Sequence, residues 1–212
     1  MRRTLYLVRH GEIGHDATGR YIGQTDLPLS PAGRLQARRL AAALADIPVD
    51  AIYASDLRRT RQTARLIAAP HGLTPAQRPG LREIALGDWE GLARDDVATR
   101  YPEQYAARGR DIVGYRVPGG ESFADCLTRA LGVWQEILAS ERREVIVVAH
   151  AGINRLLLCH ALGLPLTGLM NIPQRYGCLN IVRVDQGRCE ALAINRQVAP
   201  PRCHKMTQPP FV

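Results

Sequence analysis

Thr4-Leu5-Tyr6-Leu7-Val8-Arg9-His10-Gly11 and Glu144-Val145-Ile146-Val147-Val148-Ala149-His150-Ala151-Gly152 decide how this chain is read. Each is a short, unbroken, partly β-branched apolar run followed by a histidine, with a glycine one or two residues further on. Such runs predict strands covered on both faces, as in a parallel sheet. In open α/β sheets, ligands bind outside the carboxyl ends of the strands. If the two strands are neighbours, His10 and His150 therefore meet in one crevice, and the glycines allow tight turns and close backbone approach to a ligand. Imidazole changes charge near neutral pH and can act as nucleophile or proton carrier. His15, His71, His160 and His204 lack this placement and read as structural residues.

Working outward, Ser30-Pro31 opens a helix as N-cap and first helical residue, and Ala37, Leu40, Ala41 and Leu44 form its apolar face. Residues 50–54 read as a strand, followed by Ser55 and a basic helix to about Ala69. Residues 70–118 are rich in Pro, Gly, Arg and Asp, and about 85–118 reads as an irregular insertion covering the pocket. Ser122 and Asp125 form a capping-box pattern, ahead of Phe123, Leu127, Leu131, Trp134 and Leu138 at helical spacing. A helix is predicted over 153–162, and a strand pair over 178–184 and 189–194 around Asp185-Gln186-Gly187. Strand, helix, strand, helix predicts an α/β fold with a mostly parallel sheet. One domain is expected over 1–197, with a loosely ordered tail over 198–212 that holds Pro200-Pro201 and Pro209-Pro210.

Composition narrows the function. Of 212 residues, 46% are hydrophobic, enough for a sizeable core, and the net charge is +8. Of the 28 basic residues only Lys205 is a lysine, leaving 27 arginines. An alanine- and arginine-rich chain is what a GC-rich genome writes, but arginine also grips phosphate or carboxylate bidentately. Aromatics make up 5% and are not interleaved with the arginines, so nucleic acid is not an expected partner. No run of about 18 apolar residues occurs, so no membrane span is expected. The run after Arg3 is too short for a secretory signal, and a cytoplasmic location is expected. The five cysteines show no CxxC spacing, so neither a disulfide framework nor a metal site is expected. No feature selects an oligomeric state, and a homodimer is compatible with the chain.

Arg9-His10-Gly11-Glu12 resembles the signature of the histidine phosphatase superfamily, which includes phosphoglycerate mutases. The resemblance continues through Tyr21-Ile22-Gly23-Gln24-Thr25-Asp26-Leu27-Pro28-Leu29-Ser30, Ser55-Asp56-Leu57-Arg58-Arg59-Thr60-Arg61-Gln62-Thr63-Ala64 and Leu81-Arg82-Glu83. It runs on in Gly87-Asp88-Trp89-Glu90-Gly91, Pro118-Gly119-Gly120-Glu121-Ser122 and Ala149-His150-Ala151-Gly152, covering about residues 4–160. It implies a phosphoglycerate mutase-like three-layer α/β/α sandwich and a phosphohistidine mechanism without a cofactor. His10 would be the nucleophile, Arg9 and Arg59 the phosphate grip, and His150 a donor to a nonbridging oxygen. Glu83 would be the general acid, with Asp88 and Glu12 as fallbacks. Backbone N–H groups at Gly23 and Gly152 would add to the grip. Asp16 stands where many members have a phosphate-contacting asparagine, and a carboxylate there would repel phosphate unless protonated, turned away or paired.

The segment 93–117 is shorter than the insertion of cofactor-dependent mutases, and the runs around Glu83 and Glu121 are more like the α-ribazole phosphatase and small broad-specificity phosphatase branch. The implied activity is phosphomonoester hydrolysis of a small phosphorylated metabolite, with α-ribazole 5′-phosphate, from cobalamin assembly, as the named substrate. Phosphoglycerate mutase is the alternative. A non-catalytic phospholigand-binding protein is the alternative of another class, supported by Asp16 alone. Arg100, Arg108, Arg110 and Arg116 are candidates for substrate contact against the plainer reading of a solvated loop. Trp89 reads as core, and Tyr115 as a candidate stacking surface.

Overall fold

The computed structural model describes residues 1–14, 17 and 19–199; Asp16 and the end of the tail lie outside the described residues. Six strands, β1 (Arg3–Arg9), β2 (Ala51–Ala54), β3 (Ala76–Gln77), β4 (Glu144–Ala149), β5 (Leu179–Asp185) and β6 (Arg188–Arg196), form one sheet in the order β3-β2-β4-β1-β5-β6. β3, β2, β4 and β1 run parallel, while β5 and β6 extend the β1 edge antiparallel. The helices are α1 (Pro31–Leu44), α2 (Arg58–Ala68), α3 (Arg94–Arg100), α4 (Pro102–Arg110), α5 (Phe123–Ala139) and α6 (Ala151–Leu162).

The apolar runs are continuous because successive residues serve two cores. From β1, Leu5 and Leu7 face one way with Val145, Val147 and Ala149 of β4, against Ala130 and Trp134 of α5 and Ile153 and Leu156 of α6. Tyr6 and Val8 face the other way with Ile146 and Val148, against Leu40 and Leu44 of α1 and Ile67 of α2. Helices thus cover both faces, which makes three layers, with a mostly parallel sheet as expected. Truncating a fully buried leucine such as Leu7 to alanine would cost about 2–5 kcal/mol.

Two caps lie where the sequence predicted them. Ser30 Oγ accepts from Gly33 N at 3.0 Å ahead of Pro31. Ser122 and Asp125 close a reciprocal capping box. The boundaries differ at functional points. The basic helix starts at Arg58, because Ser55 is turned inward to Thr60 and His150. α6 starts directly after His150, its extended N-cap, rather than at residue 153. β3 spans two residues, too short to leave a periodic pattern.

The chain leaves β1 through α1 to β2 on one side, and leaves β4 through α6 to β5 on the other. β1 and β4 are neighbours in register, Arg9 opposite Ala149. Their carboxyl ends therefore lie where the winding changes direction, the usual place for a crevice.

Candidate active site

The β1–β4 register sets the two histidines side by side. His10 N donates to Ala149 O at 3.1 Å, and the imidazole centroids are 5.1 Å apart. His10 is 4% exposed, and its Nδ1 lies 2.7 Å from Gly11 O. A carbonyl can only accept, so Nδ1 carries the proton, and the Nε2 lone pair has no partner among the described residues. Burial, then the Arg59 and Arg9 charges, hold His10 well below the usual imidazole range. It is neutral at pH 7, as a nucleophile must be.

His150 is fully buried. Its Nδ1 accepts from Arg59 Nε at 3.2 Å, and its Nε2 lies 2.8 Å from Ser55 Oγ. Nε2 therefore carries the proton in this arrangement. Burial, then the charge of Arg59, holds this ring also well below its usual range. The expected role was donation to a phosphate oxygen; in this structure the ring contacts Arg59 and Ser55 instead. His150 sits behind the pocket wall and holds Arg59, and neither of its nitrogens is a free donor toward the pocket.

Arg59 is 1% exposed. Its Nη1 donates to Thr25 O at 2.7 Å and its Nη2 to Gly23 O at 2.5 Å. The Arg9 guanidinium stacks 3.8 Å from the Tyr176 ring centroid and donates to Gln174 O, and its buried Nε has no partner among the described residues. Among the described residues neither arginine forms an ion pair with a carboxylate. Two largely buried cations without a direct carboxylate partner, beside a neutral histidine and within the field of Glu83, have the chemistry an anion site needs.

Glu83 completes the inner end. Its Oε2 accepts from Gly152 N at 3.1 Å and its Oε1 from Ile84 N at 3.1 Å. The two glycines expected to grip phosphate do something else. Gly152 N is taken by Glu83, and Gly23 N donates to Glu90 Oε1 at 2.8 Å. A Cβ on Gly152 would lie 2.4 Å from Glu83 Oε1, and one on Gly23 would lie 2.2 Å from Ile84 O. Close packing is the reason for glycine at both positions.

The layer behind these groups carries residues that sequence reasoning passed over. Glu90 also accepts from Gln24 N, Thr25 N and the Thr25 hydroxyl, fixing the loop whose carbonyls hold Arg59. Arg129 pairs with Glu121 at 2.9 Å and donates to the carbonyls of Gly80, Arg82 and Glu83. Glu90 and Glu121 lie inside the recognised runs; Arg129 reads from sequence as an ordinary helix residue.

Arg9, His10, Arg59 and Glu83 line a cavity of about 620 Å³ that continues past Tyr21, Ile84, Leu86, Phe123, Arg94, Arg108 and Arg155. The 85–118 segment supplies part of its wall through Leu86, Arg94, Tyr105, Arg108, Gly109 and Ile112. Of the four arginines considered there, Arg108 lines the cavity and the other three do not; Arg116 pairs instead with Asp125. Tyr115 packs on the buried Trp89 and is not a cavity surface. The fallback acids Asp88 and Glu12 do not line the cavity, and Glu12 accepts from the Ser30 hydroxyl at 3.0 Å. Arg155, Tyr21 and Tyr176 were not singled out from sequence.

The model of the histidine phosphatase superfamily (branch 1) matches residues 5–197. Phosphoserine phosphatase 1 of Hydrogenobacter thermophilus is 32% identical over 196 residues, covering 90% of this chain and 91% of that one. The adenosylcobalamin/alpha-ribazole phosphatase of Salmonella typhimurium is 30% identical over 192 residues, covering 90% and 95%. The crystal structure of the alpha-ribazole phosphatase from Shigella flexneri superposes with a TM-score of 0.85 at 27% identity, covering 95% of this chain and 99% of that one.

Proposed function

Because the chain belongs to the histidine phosphatase superfamily, branch 1, and is a phosphatase, we propose that it hydrolyses small phosphomonoesters through a phosphohistidine on His10. The observation that carries this reading is a neutral His10 whose Nε2 has no partner among the described residues, set beside two arginines that have no direct carboxylate partner there. His10 Nε2 attacks phosphorus, the phosphorus–oxygen ester bond breaks, and Glu83 gives its proton to the leaving alkoxide. The Glu83 carboxylate then takes a proton from water as that water attacks the phosphohistidine, which releases phosphate and restores the neutral imidazole. Arg9 and Arg59 balance the charge spread over the equatorial oxygens. His150 acts through Arg59 as a positioning residue. No step calls for a metal.

The test is hydrolysis of p-nitrophenyl phosphate in the presence of a chelator by the wild type and His10→Ala. Activity in the wild type and its loss in the variant are expected; full activity in His10→Ala overturns the nucleophile assignment. A coupled assay of 3- to 2-phosphoglycerate conversion with the bisphosphate separates a hydrolase from a mutase. Two substrates head the screen of released phosphate. α-Ribazole 5′-phosphate is supported by the likeness to the Salmonella typhimurium enzyme and by the aromatic walls Tyr21 and Phe123, against which a ring system could pack. Phosphoserine is supported by the Hydrogenobacter thermophilus relative and by the arginines of the outer cavity.

A further inference from the structure

Behind Arg9 lies a cluster of buried amides that the proposed reaction does not use. Gln174 is 5% exposed, and Asn180 and Asn154 are fully buried. Gln174 stands just ahead of β5, Asn180 on β5 and Asn154 on α6. The first two close a reciprocal pair. Gln174 Nε2 donates to Asn180 Oδ1 at 2.7 Å, and Asn180 Nδ2 donates to Gln174 Oε1 at 3.0 Å. Asn154 Nδ2 brings a second donor to Gln174 Oε1 at 3.2 Å. Asn180 ties the pair to the sheet, because its Nδ2 also donates to Leu7 O of β1 and its Oδ1 also accepts from Asn195 N of β6, each at 2.9 Å.

Amides in an apolar core carry a desolvation cost that leucine or methionine would not. What they supply is direction, since a bonded amide network specifies one arrangement. Here that arrangement belongs to residues 174–178, which wrap the end of β1. The Arg9 guanidinium donates through Nη1 to Gln174 O, and the Tyr176 ring covers its face. Arg9 N donates to Cys178 O at 3.1 Å, and Gly177 N donates to His10 O at 3.0 Å. Arg175 N donates to Asn195 Oδ1 at 2.7 Å, which pins the segment from the β6 side. Burial lowers the proton affinity of Arg9, so the direction of its few acceptors matters. With Nη1 held on Gln174 O, the buried Nε is left without a partner among the described residues. An edge of the fork is thereby kept for phosphoryl oxygens.

We propose that Gln174 is a positioning residue for the phosphate grip: its side-chain amide, locked to Asn180 and Asn154, fixes the backbone carbonyl that orients the Arg9 guanidinium. The proposal deepens the phosphatase reading and rests on it.

The test is a double-mutant cycle on the binding of inorganic phosphate, followed by phosphorus NMR titration, which reads weak binding. Gln174→Met keeps the length and bulk of the side chain and removes the amide. Its dissociation constant for phosphate should rise about threefold to tenfold, the range of one hydrogen bond. In an Arg9→Met background the same substitution should leave the constant unchanged, because the group it orients is gone. A dissociation constant does not depend on the fraction of folded protein, so a destabilised variant still reports. Gln174→Asn, an amide one methylene too short to close the pair, carries the same expectation as a gentler variant. A constant unchanged in Gln174→Met and Gln174→Asn would reduce the amide cluster to core packing and overturn the proposal. An equal rise with and without Arg9 overturns it too, because Gln174 would then act by another route. Loss of the phosphatase reading appears separately, as absent p-nitrophenyl phosphate hydrolysis by a wild type that still binds phosphate.

Discussion

Gly152 N donates to Glu83 Oε2 at 3.1 Å, so the first turn of α6, directly after His150, holds the carboxylate of a loop 69 residues earlier in the chain. A Cβ at Gly152 would lie 2.4 Å from Glu83 Oε1. Gly152→Ala should therefore push the carboxylate aside and lower kcat by about tenfold to a hundredfold, the range for a misplacement of about 1 Å. Glu83→Gln keeps the size but removes the proton, and should cost about 10²–10⁴-fold on an alkyl phosphate. The cost should be smaller in the first step with p-nitrophenyl phosphate, whose nitrophenolate leaves without a proton. Equal burst-phase losses on both substrates would remove Glu83 from the acid role.

Ser55 should matter through His150. Its hydroxyl lies 2.8 Å from His150 Nε2 and 2.7 Å from Thr60 Oγ1, and Thr60 in turn donates to Leu57 O at 2.7 Å. With His150 Nδ1 accepting from Arg59, Ser55 is the one partner of the Nε2 proton among the described residues. Ser55→Ala would leave a fully buried N–H without an acceptor, at a cost of about 1–3 kcal/mol in stability. It would also free the ring to change tautomer and loosen Arg59, weakening inhibition by inorganic phosphate. Unchanged denaturant stability together with an unchanged phosphate inhibition constant would refute this role.

Both site histidines have folded-state proton affinities held below the ordinary imidazole value of 6.5. The unfolded chain therefore binds protons that the folded chain refuses. Stability is complete above about pH 6.5 and falls as pH drops below it, until the lower folded values are reached. Two such groups give a slope of up to about 2.7 kcal/mol per pH unit. Urea titrations between pH 7 and 5 should show this decline, and His150→Gln should flatten it. The acidic limb of kcat/KM that reports His10 should lie below pH 6.5. A limb at or above that value would mean that His10 is not the buried neutral group described.

The sheet and the two histidines were legible because an apolar run ending on a histidine, with a glycine one or two residues further on, is a local pattern, and because parallel neighbours repeat it. Arg9 and Arg59 were legible from the runs that carry the resemblance. What was not legible depends on side-chain direction. Nothing in Gly23 or Gly152 told that their N–H groups serve Glu90 and Glu83 rather than a ligand. Nothing in Arg108 told it from Arg116, eight residues later, which pairs with Asp125 at 2.8 Å. β3 was missed because a two-residue strand has no period to read.

Arg129 braces the loop that carries Glu83. Its Nη1 donates to Gly80 O at 2.9 Å and Arg82 O at 2.6 Å, and its Nη2 donates to Glu83 O at 3.1 Å. Nε and Nη2 also hold the two Glu121 oxygens, each at 2.9 Å. Arg129→Met keeps the aliphatic stem but leaves three carbonyls and a partly buried carboxylate without their cation. A loss of about 2–4 kcal/mol is expected, below the figure for a fully buried pair because both side chains remain partly exposed. Under the proposed mechanism, in which Glu83 handles the proton and Arg9 and Arg59 hold the phosphoryl group, the loosened loop should lower kcat more than it raises KM. A double-mutant cycle with Glu121→Gln should give a coupling of about 1–3 kcal/mol. Additive effects in that cycle, or a rise in KM with kcat unchanged, would show that Arg129 binds substrate rather than positions the acid.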